Sequence, residues 1–234
     1  MRVARVIAAI VVAFVISACS APGGGLTRSR IDEVPMYGGL DRSQYPDLRA
    51  ADEKLIADTT RHYGSREKAS EAFVRNGFAY YGRDDLANAM RRFNQAWLLD
   101  PNNPEVYFGF GAVLHDAGKY CVASIQFDKA ASFGRYIQDM LPDFARVLVL
   151  CAVKDKSLSE SAKKAMFDRA DSLYGEALSK EPNKGYVHAS MSSAFYWREK
   201  YSEAWRAVKD ARASGGRVPE QFLRMLRDKM PEPE

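Results

Sequence analysis

Phe73 and Tyr107, Gly77 and Gly111, Ala89 and Ala123, Phe93 and Phe127, and Ala96 and Ala130 are each separated by 34 residues. Self-similarity at a fixed period of about 20–50 residues marks a chain that stacks one supersecondary unit on the next. Within a unit the small residues Gly77, Ala89 and Ala96 let paired helices approach closely, while Phe73, Tyr80 and Phe93 fill the space between them. Each hairpin leaves an apolar face that only a neighbouring hairpin can cover, so the units must stack. With 47% hydrophobic and 27% charged residues the chain has enough apolar material for such a core, which excludes global disorder.

The run Phe73-x2-Asn76-Gly77-x2-Tyr80, followed by Ala89-x3-Phe93, Ala96 and Pro101, resembles the tetratricopeptide (TPR) repeat. The second unit keeps Tyr107, Phe110, Gly111, Leu114, Ala123, Phe127 and Ala130 but has Arg135 where the proline would fall. Ala170, Tyr174, Ala177 and Pro182 restore the second-helix pattern, and Ala204, Val208 and Ala211 repeat it 34 residues later, behind a degenerate first helix with His188 at the bulky position. Ala123 and Ala170 lie 47 residues apart, so the third unit carries an insertion. Its first helix should run from about Pro142 to Val153, and Ser157 with Glu160 reads as a capping box opening a helix toward Lys180. The resemblance implies an all-α, TPR-like α-α superhelical solenoid of three to four hairpins with terminal capping helices. The units span 70–103, 104–137, 138–184 (degenerate) and 185–218; a leading helix occupies 47–64, and a capping helix from Pro219, with Phe222, Leu223 and Leu226 inward, opens the segment 219–234.

Ahead of the repeats, Met1–Arg5 is a short positive region and Val6–Ile16 an apolar run of eleven residues, too short for a spanning helix and suited to an export signal. Ile16-Ser17-Ala18-Cys19 resembles the bacterial lipobox. That resemblance implies cleavage after residue 18, lipidation of Cys19 and a mature chain held on a membrane by acyl chains. Ser20 stands where the inner-membrane retention signal of such lipoproteins has aspartate, so the resemblance favours the periplasmic face of the outer membrane, with the inner membrane as the alternative. Residues 19–46, rich in Gly and Pro, read as a flexible tether holding the domain roughly 30 Å from the bilayer. Removing residues 1–18, with Arg2 and Arg5 and no acid, lowers the net charge from +4 to +2, which disfavours nucleic acid as a partner.

Cys121 and Cys151 remain after processing, and either a disulfide or two separate buried thiols fits an oxidising compartment. The three histidines fall on different elements, with no HExxH, paired CxxC or nucleophile elbow; the expectation is no enzyme, no metal and no cofactor. First helices of successive TPR hairpins line the concave face, so the resemblance points to Val74, Phe78, Tyr81, Phe108, Ala112, His115, Tyr186, Tyr196 and Trp197 as a groove for a protein partner. TPR domains that clamp a C-terminal carboxylate use Lys, Asn and Arg at these positions, where this chain has Val74, Phe78, Phe108 and Ala112. Between Arg198 and Lys229 nine basic residues face five acidic ones, either a solvated face or a weak contact to anionic lipid or cell-wall polymer. The architecture is similar to that of TPR lipoproteins accompanying pilus and secretion systems of the Tad type, which implies an adaptor in the assembly of an envelope machine. A regulator of cell-wall synthesis or of outer-membrane protein assembly is the alternative, and a hydrolase of envelope polymers a further one without visible catalytic groups.

Overall fold

A computed structural model describes residues 28–234, and all regular structure among them is helical. The signal segment and Cys19 lie outside the described residues. Ten α-helices follow three short 3-10 turns: α1 Pro46–Tyr63, α2 Arg66–Tyr81, α3 Leu86–Leu99, α4 Pro104–Asp116, α5 Tyr120–Ala131, α6 Met140–Lys154, α7 Glu160–Lys180, α8 Lys184–Trp197, α9 Tyr201–Ala213 and α10 Glu220–Arg227. No helix among the described residues is long and apolar enough to cross a membrane.

Helix starts are fixed locally. Ser65, Asp85, Asn103 and Asn183 accept backbone N–H bonds from Lys68, Asn88, Glu105 and Tyr186, satisfying donors that a first turn leaves free. Pro104 sits in the first turn of α4, where its missing N–H costs nothing, and Gly64 ends α1 at φ 88°. The cap of α7 is Ser159, which accepts from Ala162, and not Ser157. Ser157 is held in a turn by Asp155 instead, so the capping box read from the sequence lies two residues too early.

α2/α3, α4/α5, α6/α7 and α8/α9 are antiparallel hairpins, and the sequence period is a period of contacts. A Cβ on Gly77 would lie 2.5 Å from the Phe93 ring, and one on Gly111 would lie 2.7 Å from the Phe127 ring. Each glycine therefore admits the phenylalanine of its own hairpin partner. Phe93, Phe110, Phe127 and Phe144, one from each of α3 to α6 at intervals of 17 residues, are fully buried and form the spine of the main core. Phe127 and Phe144 stack at 5.7 Å, which joins the second hairpin to the third. A smaller cluster of Ala204, Trp205, Val208, Leu223 and Leu226 holds α10 on α9.

The segment 31–45 is not the flexible tether that its composition suggests. Asn94 of α3, fully buried, donates from Nδ2 to the carbonyls of Asp32 and Val34, both at 2.8 Å, and its Oδ1 accepts the Tyr37 N–H at 3.3 Å. Arg91 reaches Asp32 at 2.6 Å and Glu33 at 2.7 Å, while Arg42 grips Asp52 of α1 from Nε at 2.7 Å. Met36, Tyr37 and Gly38 turn through the left-handed region (φ 52°, 52° and 66°) and so bury Tyr37 under the Arg42 guanidinium. The tether reading fails because Asn94 captures this backbone and Arg91 its acidic side chains from about 60 residues downstream, contacts that local composition does not encode.

Candidate functional site

Among the described helices α6 is the most buried, and Arg146 is the one cation in its middle. Helical spacing puts Arg146 and Leu150 on one face. Across from them, Tyr186, Ser190, Ser193 and Trp197 recur every three or four residues along one face of α8. His115 at the end of α4 and Tyr120 at the start of α5 also line the space. Arg217, Val218 and Pro219, leading into α10, and Phe222 in its first turn complete the lining. The result is a pocket of about 460 Å³, within the range of small-ligand sites.

Its polar groups are held by a network behind the wall. Arg146 Nη2 donates to Asp143 Oδ1 at 2.8 Å, and the Tyr186 hydroxyl donates to the same oxygen at 2.5 Å. Burial works against the Arg146 charge, but the Asp143 carboxylate outweighs it and holds the guanidinium above its usual pKa. Burial also raises the Tyr186 hydroxyl, reinforced by Asp143, so it acts as a donor. Arg146 Nε is buried and has no hydrogen-bond partner among the described residues. His115 Nδ1 lies 2.6 Å from Asp116 Oδ1. Burial alone would raise the Asp116 carboxyl, but hydrogen bonds from His115 and Tyr81 prevail and lower it. Neither Asp116 nor Asp143 lines the pocket. Among the described residues, two guanidiniums, an imidazole and four aromatic rings line it, with no carboxylate.

The nine groove residues read from the sequence separate into groups. His115, Tyr186 and Trp197 meet in the pocket. Tyr81 sits behind it, bonded to Asp116. Val74 and Ala112 are corrections: at 1% and 7% exposure they belong to the core, because α2 and α4 pack more tightly than an open concave face would require. Phe78 and Phe108 pack against each other at 5.5 Å with tilted rings and meet Phe93 and Phe127 edge to face, forming a half-buried ladder and not a free wall. Tyr196 packs at 5.6 Å on Phe222, under the C-terminal helix.

Sequence reading missed Arg146, Tyr120, Arg217 and Phe222. The first had a signal, a lone arginine inside the apolar run from Met140 to Val153; the others come from elements whose placement only the fold determines. Cys121 and Cys151, at the start of α5 and the end of α6, form a disulfide, which ties down the helix that carries Arg146. In comparisons with known proteins the chain matches no family model, no curated protein and no solved structure.

Proposed function

We propose that this chain is a lipid-anchored, periplasm-facing adaptor with a TPR-like superhelical solenoid, which holds protein partners during assembly of an envelope machine such as a pilus or secretion system. The observation that carries this reading is the pocket between α4, α6 and α8: aromatic walls with polar edges, on the first helices of successive hairpins, are the kind of surface that anchors protein partners. Two further features support it. The 34-residue period recurs as Gly77 against Phe93 and Gly111 against Phe127, as a stacked-hairpin scaffold needs. The disulfide between Cys121 and Cys151 suits an oxidising compartment, in line with the lipobox-like run before Cys19.

Photo-crosslinking in intact cells tests the proposal. A photoreactive residue at Trp197 should yield discrete protein adducts, and one at Lys164, on the exposed face of α7, should not. Adducts equal from both sites, or none from Trp197, would sink the adaptor reading.

A further inference from the structure

Resting on that reading of the pocket, we infer that it takes an acidic side chain, Asp or Glu, from a partner segment, with a neighbouring apolar side chain of that segment against Trp197 and Phe222. Charge complementarity carries the inference. Among the described residues the lining contains Arg146, Arg217 and His115 and no carboxylate. Asp143, behind the lining, already pairs with Arg146 and Tyr186, and Asp116 with His115 and Tyr81, so the uncompensated positive charge at the pocket comes from Arg217 and the rim. Arg217 is exposed and forms no ion pair among the described residues, and Lys154 Nζ sits 3.8 Å over the Trp197 ring, a further cation at the rim.

Arg146 keeps a buried Nε–H without a partner among the described residues. That Nε is closed off from solvent, so a ligand meets the exposed fifth of the Arg146 side chain instead, where a carboxylate matches the guanidinium fork better than any neutral acceptor. The volume of about 460 Å³ admits a side chain or two and no helix. Two features point to a side chain and not a chain end. No Asn or Gln lines the pocket to read peptide groups, and on α2 and α4 Val74 and Ala112 are buried, so the grip is confined to this one pocket.

The test is titration of the full-length chain with the peptide acetyl-Gly-Phe-Glu-Phe-Gly-amide, followed by calorimetry. Saturable binding should weaken at least tenfold when Gln replaces the Glu, and should weaken with added salt. Arg217→Ala, an exposed change that leaves the core alone, should weaken it several-fold. Arg146→Lys keeps the charge beside Asp143 but loses the fork, and should weaken it further. Equal binding of the Glu and Gln peptides, indifference to Arg217→Ala, or no binding at millimolar peptide would overturn the inference. So would binding only of a Gln peptide with a free C-terminal carboxylate, which would make the ligand a chain end. If any of these occurs while Trp197 still forms adducts in cells, the ligand chemistry is wrong and the adaptor reading stands; if the adducts fail too, both fall.

Discussion

At the scale of single residues, glycines and buried acids make the sharpest claims. Gly185 at the start of α8 and Gly216 after α9 touch backbone to backbone: a Cβ on Gly185 would lie 2.5 Å from Gly216 Cα and 2.9 Å from the Ser214 carbonyl oxygen. Backbone cannot swing aside as a side chain can, so Gly185→Ala should cost at least about 1–3 kcal/mol. Gly175, in the exposed middle of α7 with nothing within 4 Å, is the control; Gly175→Ala should stabilise by about 0.5–1 kcal/mol through helix propensity. Thermal melts of both variants check the pair, and equal shifts would refute the close approach. Asp139 offers a pH test. It sits at φ 62° with its Oδ1 buried and unpartnered, near Glu181, which is itself fully buried. Burial, then the Glu181 charge, raises the Asp139 carboxyl above its ordinary value. A raised carboxyl makes the folded state the better proton binder, so its stability is greatest below the unfolded pKa of about 3.9 and falls as pH rises through the folded value. Asp139→Asn should therefore raise the melting temperature at pH 7 and give a smaller gain near pH 3. A gain independent of pH would mean that only backbone preference had changed.

Among the elements, helices and their order were legible in the sequence because hydrophobic spacing, caps and small-residue positions are local signals. The bounds of α6 extend only slightly beyond the stretch from Pro142 to Val153, and α10 falls within Pro219 to Lys229. The strap over residues 31–45 was not legible, since it has no periodic apolar face and depends on Asn94, about 60 residues away. Replacing Asn94 with Leu keeps the volume but removes all three hydrogen bonds, leaving the Asp32 and Val34 carbonyls without this donor at about 1–3 kcal/mol each. Hydrogen exchange should then rise across 31–45 while α4 to α9 stay protected; unchanged exchange there would show that Arg91 and Arg42 suffice to hold the strap. The disulfide gives a second element-scale prediction. It links residues 30 apart in sequence, and closing a loop of that size stabilises by about 3–4 kcal/mol in the chain-entropy account. Reduction of the folded protein should lower its melting temperature accordingly, and a Cys121→Ser, Cys151→Ser double variant should match the reduced protein. Part of the candidate site was hidden for a related reason: the concave face was inferred from first helices alone, whereas Arg217 reaches it from the segment that enters α10 and Phe222 from α10 itself.

For the whole molecule, the strap changes how an anchor at Cys19 would hold the domain. Were residues 19–46 all tether, their contour would allow about 90 Å of reach at 3.3–3.6 Å per residue. The strap is fixed to α3 from Asp32 onward, which leaves 12 residues between Cys19 and that point and a reach of at most about 45 Å. The domain should thus present its α1/α3 end to the bilayer, with α10, at the other end of the hairpin series, farther away. Energy transfer from a dye in the bilayer to a label at Gln44 or at Asp228, in otherwise identical full-length protein, measures this. Transfer should be strong at Gln44 and weaker at Asp228, and Cys19→Ser should abolish both by releasing the chain from membranes. Equal transfer at the two sites would mean that the strap does not orient the domain. Retention of the Cys19→Ser variant on membranes, with processing unchanged, would remove the anchor itself. If the orientation holds, the pocket between α6, α8 and the segment entering α10 lies away from the membrane-proximal end, where a partner assembling beyond the bilayer surface can reach it.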